Sequence, residues 1–120
     1  MSNRNRTAGN NWERLCVNTL KKVFKDIVSS RSESKSRDDQ GVDLINKDEY
    51  KNGKVPFNFQ CKSTASKADY HTLLTTMPDD VPPVILHQYK RKSNTKFMTQ
   101  GEYVIMKYND FIDLLKKTYG

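Results

Sequence analysis

Apolar positions first recur at helical spacing between residues 10 and 27. Trp12, Leu15, Cys16, Thr19, Leu20, Val23, Phe24 and Ile27 follow at three- and four-residue steps, which predicts an amphipathic helix. Asn10 stands where an N-cap would, and Glu13 three residues on completes a capping box. Residues 1–9, with Arg4 and Arg6, read as a flexible basic arm ahead of a single domain spanning 10–120. The serine-rich, charged stretch Ser29–Asp39 predicts a loop or a short irregular strand. The period then changes. Gly41–Ile45 and Val55–Lys62 read as strands, the second with Phe57, Phe59 and Cys61 on one face. Between them Asn52-Gly53 predicts a two-residue hairpin turn. Lys67–Met77 predicts a short helix stopped at Pro78, and Val84–Tyr89 a strand. Lys90–Gly101 reads as a basic loop, Glu102–Lys107 as a strand, and Asn109 as the cap of a last helix carrying Phe111, Leu114 and Leu115. No internal repeat is present. Helix, strands, helix, strands, helix makes a small α/β sandwich.

A hairpin closed by Asn52-Gly53 pairs residues across the turn, so Asp43 faces Lys62 and Ile45 faces Gln60. Side chains alternate along a strand, so Asp43, Gln60 and Lys62 share one face and Phe57, Phe59, Cys61, Val42 and Leu44 the other. Pro56 cannot donate to the ladder, and a bulge there would shift the register by one. Glu13 adds a second carboxylate. On a helical wheel it falls between Leu20 and Phe24, where a carboxylate is costly without a positive partner. It can alternatively serve only the capping box and the helix dipole. Taken singly, Asp43 fits a turn or an edge strand, and Lys62 a solvated strand lysine. Their convergence carries more information than either alone. Oxygen donors of this kind suit Mg²⁺ or Mn²⁺, which bind one or two carboxylates together with waters and substrate phosphate. Such an ion polarises a phosphodiester and acidifies a bound water, while a nearby lysine meets the developing charge.

Charge sharpens this picture. The chain has 120 residues, 21 basic against 14 acidic, for a net +7. Residues 1–37 hold nine basic and three acidic side chains, whereas residues 38–59 hold three and five. A basic arm and first helix beside an acidic strand region is a layout for gripping a polyanion and holding a metal. Arg4, Arg6, Arg14, Arg31, Lys35 and Arg37 are candidate phosphate contacts, and Lys90-Arg91-Lys92 a second patch. No run of about 18 apolar residues exists, so no membrane span is expected. The charges near Met1 have no apolar stretch behind them, so no secretory signal is expected either. Cys16 and Cys61 lack CxxC spacing, which points to a reduced, cytosolic protein with both thiols in the core. His71 and His87 have no metal-binding spacing and read as structural or exposed.

With these residues in place, the chain resembles the archaeal-type Holliday junction resolvases of the PD-(D/E)xK nuclease superfamily. Gly9-Asn10-Asn11-Trp12-Glu13-Arg14 looks like the family's opening helix, with its first acidic ligand and an arginine. Gly41-Val42-Asp43-Leu44-Ile45 looks like the metal-binding aspartate strand. Gln60-Cys61-Lys62-Ser63-Thr64 is similar to the acidic-x-Lys strand, with Gln where Glu is usual, and Arg31-Ser32 sits where such resolvases often carry Arg-Ser. The resemblance implies a restriction-endonuclease-like αβββαβ core with a central mixed sheet of about five strands. It implies Glu13, Asp43 and Gln60 as metal ligands helped by the Cys61 carbonyl, Lys62 as the catalytic lysine, and Arg31 and Ser32 near bound DNA. It further implies Mg²⁺ or Mn²⁺ as cofactor, four-way-junction DNA as partner, and a homodimer making paired nicks. Gln60 adds no negative charge, so two alternatives stay open: an Mrr-like or repair endonuclease on duplex DNA, and an inactive, nuclease-derived DNA-binding protein. The ten asparagines point away from a hyperthermophilic host and toward a phage or other mesophilic mobile element.

Overall fold

The computed structural model describes residues 3–66, 68–93 and 96–120, with side chains described outside 3–9, 92, 93, 96 and 97. Met1 and Ser2 of the expected arm, Lys67 of the expected helix, and Asn94 and Thr95 of the expected basic loop lie outside the described residues. The elements, in order, are α1 (Asn3–Leu20), β1 (Ile27–Ser29), α2 (Ser30–Glu33), α3 (Lys35–Asp39), β2 (Leu44–Asn46) and α4 (Glu49–Asn52). There follow β3 (Asn58–Thr64), α5 (Tyr70–Thr76), β4 (Pro83–Ser93), β5 (Lys96–Met106) and α6 (Tyr108–Tyr119). With the three short helices α2–α4 set aside, the series from α1 to β4 reads αβββαβ.

The five strands form one open mixed sheet in the order β1-β2-β3-β4-β5. Neighbours run antiparallel except β3 and β4, which are parallel and joined through α5. A parallel pair needs such a crossover, and α5 supplies it. On one face α1 buries Trp12 and Cys16 against Ile27, Leu44, Phe59 and Val84. Trp12 also donates its indole N–H to the Leu86 carbonyl at 2.9 Å, tying α1 to β4. Residues of β4 alternate, so Ile85 and His87 point to the opposite face, where Tyr70 of α5 meets His87.

Several boundaries differ from the sequence reading. The first helix starts at Asn3, so residues 3–9 are helical rather than an arm, and Asn10 and Glu13 lie inside the helix instead of at its cap. It ends at Leu20, and Ile27 opens β1, because the charged Lys21-Lys22 and Lys25-Asp26 leave only short apolar runs between them. The serine-rich loop is two short helices. Ser29 and Ser34 cap them, their hydroxyls accepting from the Arg31 and Arg37 N–H groups. Asn52-Gly53 is not a hairpin turn. It ends α4, with Gly53 at φ 78° donating its N–H to the Glu49 carbonyl at 2.8 Å. The longer connection moves the pairing by two residues, to Leu44 opposite Phe59. A slip of two preserves the alternation, so Leu44 and Phe59 stay together on the expected apolar face. Lys90, Arg91 and Lys92 belong to β4, since the expected basic loop is the distal half of an 11-residue-stranded hairpin. The last helix is capped at Lys107 and holds Asn109 within it.

Candidate active site

Asp43 precedes β2 and is held on both sides. Its N–H donates to the Phe59 carbonyl at 2.7 Å, and its Oδ2 accepts the Cys61 N–H at 2.8 Å. The side chain thus takes a ladder donor of β3 that β2 does not reach. Burial pushes its carboxyl up to about 6, the Cys61 hydrogen bond opposes that, and the negative charge of Glu13 adds to it. Lys62 acts in the opposite, charge-favouring sense. Glu13 and Lys62 therefore each lie within electrostatic reach of Asp43.

Glu13 is buried, with 8% of its surface exposed. Its Oε1 accepts from the Ser29 hydroxyl, and its Oε2 pairs with the Arg31 guanidinium at 3.0 Å. Arg31 also donates to the Asn10 side chain. The positive partner that a flank carboxylate requires is thus Arg31, placed there by the tight β1–α2 junction. The residue before Arg31, Ser30, donates its hydroxyl to the Val42 carbonyl at 2.6 Å and its N–H to the Asp43 carbonyl at 2.8 Å. Ser29 and Ser30 thereby couple the two carboxylate-bearing segments. Neither serine was singled out from sequence, although Ser29-Ser30 directly precedes the Arg31-Ser32 pair that was.

Gln60 lies half-buried on β3. Its Nε2 donates to the Gly41 carbonyl at 3.0 Å, and its Oε1 is buried with no hydrogen-bond partner. Among the described residues it is the one buried side-chain oxygen or nitrogen left in that state. Gly41 makes the close approach possible: its φ is 81°, and a Cβ there would lie 2.7 Å from Gln60 Nε2. Lys62 is paired with His87 in the parallel β3–β4 register. The donor set is two carboxylates and an orphaned amide oxygen, in a place where burial and like charge already strain Asp43. A small, hard, divalent cation fits that chemistry. Among the described residues no three His, Cys, Asp or Glu side chains gather as a metal-holding group.

The DNA-contact candidates divide. A cleft of about 360 Å³ is lined by Asn10, Glu13, Arg14, Arg31 and Ser32, bringing four predicted residues together; Asp43, Gln60 and Lys62 are not among its lining. Arg14, Ser32 and Lys35 are exposed. Arg37 is committed elsewhere, paired with Glu49 at 3.3 Å and near Asp80 at 3.9 Å. Asp80, which also pairs with Lys54, is held down at about 2, chiefly by the hydrogen bond from that lysine. The side chains of Arg4, Arg6 and Lys92 lie outside those described. The Cys61 thiol is held well above its ordinary range by its hydrogen bond with Cys16 and by burial, consistent with two core cysteines.

His87 received no role from the sequence. It is 1% exposed, with Nε2 2.8 Å from Thr64 Oγ1 and Nδ1 2.9 Å from the Tyr70 hydroxyl. The alternation Ile85, His87 along β4 is the signal that places it on the α5 face. No helix among the described residues is long and apolar enough to cross a membrane. Comparison with protein-family models, curated proteins and solved structures finds no match for this chain.

Proposed function

We propose that the chain is a Mg²⁺-dependent, structure-selective DNA endonuclease acting on branched DNA, four-way junctions foremost, in the cytoplasm of a bacterial or phage-infected cell. The observation that supports this best is the grouping around Asp43. A carboxylate already raised to about 6 by burial and by Glu13 stands beside Lys62, two residues from a glycine that anchors an amide whose oxygen has no partner. Such perturbed groups cluster at functional sites. Glu13, Asp43 and Gln60, with the Cys61 carbonyl, would hold Mg²⁺ or Mn²⁺, which when bound would supply a Lewis acid for the phosphodiester and acidify a water. Asp43 enters this site with its orientation fixed by the Cys61 N–H, so little ordering is needed on binding. Arg31 holds Glu13 in place. Lys62 is the cation available to the developing charge on the phosphate oxygens. Arg14, Ser32 and Lys35 offer donors to the DNA backbone, which positions a duplex arm without reading sequence.

A chain that binds DNA without cutting it is the alternative, favoured by Gln60, which carries no charge, and by Arg31, which already neutralises Glu13. A duplex-cutting repair or Mrr-like enzyme is the third. The purified protein is incubated with four-way junction, flap and linear duplex DNA while Mg²⁺ and Mn²⁺ are titrated. Paired, metal-dependent nicks confined to the junction are expected, abolished by Asp43→Asn or Lys62→Ala with DNA binding retained. Undiminished cutting by Asp43→Asn would sink the mechanism, and metal-indifferent binding alone would identify a pure binder.

A further inference from the structure

Beyond Tyr89 the sheet narrows to two strands. The last residue of β3, Thr64, pairs with Tyr89, whereas β4 and β5 continue together without a third strand. In that ribbon Lys90 lies opposite Thr99, Arg91 opposite Met98, Lys92 opposite Phe97 and Ser93 opposite Lys96. Gln100 is unmatched at its base, since Tyr89 lies opposite Gly101 and Lys90 opposite Thr99. A bulge of that kind raises the local twist and re-aims the strands that follow. None of the ribbon side chains described (Lys90, Arg91, Met98, Thr99 and Gln100) is buried, and Met98 is 55% exposed. They add nothing to the core, and a two-stranded hairpin standing alone is marginal in water. Residues 90–101 include four basic residues, Lys90, Arg91, Lys92 and Lys96, and no acidic one.

We infer that this ribbon is an arm that enters the major groove of a DNA duplex to one side of the cutting site. Charge selects a polyanion, and shape selects the groove. A single β layer with its side chains is about 10 Å thick, since sheets stack at that spacing. The major groove of DNA is about 12 Å wide and admits a two-stranded ribbon, whereas the minor groove, about 6 Å wide, is too narrow without deformation. Successive residues alternate, so Lys90 and Arg91 stand on opposite faces, one toward each of the two phosphate backbones that border the groove. A membrane surface is a poorer occupant, because it selects elements with apolar and basic residues on separate faces. Here Met98 and Arg91 are cross-strand partners on the same face. The ribbon leaves the sheet at the end toward which β3 runs from Gln60 to Lys62. Lys62 pairs with His87, so Lys90 lies three residues further along and Ser93 six. At about 3.3 Å per residue these offsets are about 10 and about 20 Å. A duplex lying along that direction with a phosphate at Lys62 is met about 3 to 6 base pairs further on, at roughly 3.4 Å per pair. The inference rests on the nuclease reading only for Lys62 as the point of cutting; the groove contact stands on the ribbon itself.

Fluorescence anisotropy with a DNA duplex and an RNA duplex of equal length, in EDTA so that no metal-dependent cleavage intervenes, tests this. One variant replaces residues 91–98 with Asn-Gly, which closes a two-residue turn between Lys90 and Thr99. Its melting temperature should stay close to that of the wild type, because no described ribbon side chain is buried. Its DNA affinity should fall at least about tenfold near 0.1 M salt. The slope of log Kd against log salt should drop by about 2–3, for the cations Arg91, Lys92 and Lys96 removed. RNA affinity should change less than about threefold, because the deep, narrow major groove of an A-form duplex excludes the ribbon. Arg91→Gln with Lys92→Gln keeps the backbone and should reproduce most of the loss on DNA. Unchanged DNA affinity in both variants overturns the arm. An equal loss on RNA also overturns it, since that marks charge without groove fit. Vesicles containing phosphatidylserine that bind the wild type and release the truncated chain, with DNA binding intact, overturn it in favour of a membrane. Truncation that weakens DNA binding in a chain that never cuts upholds the arm and overturns the nuclease. Metal-dependent cutting that truncation leaves unchanged, in binding and in rate, does the reverse.

Discussion

Asp43 is bound to Cys61 through its side chain: Oδ2 accepts the Cys61 N–H at 2.8 Å while the Asp43 N–H reaches the Phe59 carbonyl. One residue thus caps the end of the β2–β3 ladder and presents a carboxylate where the two strands part. Its carboxyl is raised from 3.8 to about 6, mainly by burial. Because the folded value exceeds the unfolded one, the native state holds the proton more tightly. Stability from this group is complete below pH 4 and is lost as pH rises through about 6. Asp43→Asn keeps an acceptor for Cys61 and removes the titration. In metal-free buffer it should stabilise the fold by about 1–3 kcal/mol at pH 7.5 and by nothing near pH 4. Urea denaturation followed by Trp12 emission measures both. An equal effect at the two pH values would contradict the raised carboxyl. A variant that gains stability and loses cleavage is what a functional carboxylate produces.

Gly41→Ala should act on Gln60 from a distance of one hydrogen bond. The added Cβ meets Gln60 Nε2 at 2.7 Å, and φ 81° is unfavourable for alanine. The flexible amide can move aside, but only by giving up the Gly41 carbonyl. A loss of about 1–3 kcal/mol is expected. The same variant should need more Mg²⁺ for cleavage, whereas Gly53→Ala, also at positive φ but with open space around it, should cost stability alone. Denaturation together with a Mg²⁺ titration separates these outcomes.

Much of this arrangement was legible before the structure. Strand alternation predicts one face for Asp43, Gln60 and Lys62; in the structure the register slips by two rather than one, which leaves Leu44 and Phe59 together on the expected apolar face. The α/β class followed from the change of period along the chain, whereas the central mixed sheet of about five strands followed from the family resemblance. What could not be read were contacts that local pattern does not encode. Asn52-Gly53 suits a hairpin turn and a helix C-terminus equally, and the choice rests on Glu49, whose carbonyl receives the Gly53 N–H. Glu13 resembled a capping residue until Ser29 and Arg31, 16 and 18 residues on, were seen to hold it. Arg37 looked like a DNA contact as long as Glu49 and Asp80 were remote in sequence.

Gln60→Glu should invert the balance between fold and metal. The new carboxylate cannot donate to the Gly41 carbonyl, and it adds charge beside Asp43 and Glu13. Without metal the variant should lose about 1–3 kcal/mol above pH 6. Mg²⁺ should restore that loss and raise the melting temperature more than in the wild type, at a lower half-saturating concentration. Thermal melts across a Mg²⁺ series report this independently of cleavage. Melting unaffected by Mg²⁺ in both proteins would remove the metal site.

His87 should stay neutral below the pH at which a free imidazole titrates. Thr64 Oγ1 donates to the Ser66 carbonyl at 2.8 Å, so toward His87 it can only accept. The Nε2 of His87 therefore carries the proton, and Nδ1 accepts from the Tyr70 hydroxyl. Burial lowers the imidazole pKa, and the charge of Lys62 across the β3–β4 register lowers it further. A base with a lowered folded value contributes stability that is present above about pH 6.5 and lost as pH falls through that value. The slope is opposite to that of Asp43, so the two partly cancel in the wild type and separate only in variants. Tyr70→Phe leaves Nδ1 buried without its donor. It should cost about 1–2 kcal/mol at pH 7.5 and bring the imidazole pKa back toward its ordinary value. In the Asp43→Asn background the acid-side loss of stability should stand alone and steepen. Imidazole ¹⁵N shifts recorded against pH would show the Nε2–H tautomer, and an Nδ1–H tautomer would reverse the direction of the whole Thr64–His87–Tyr70 chain.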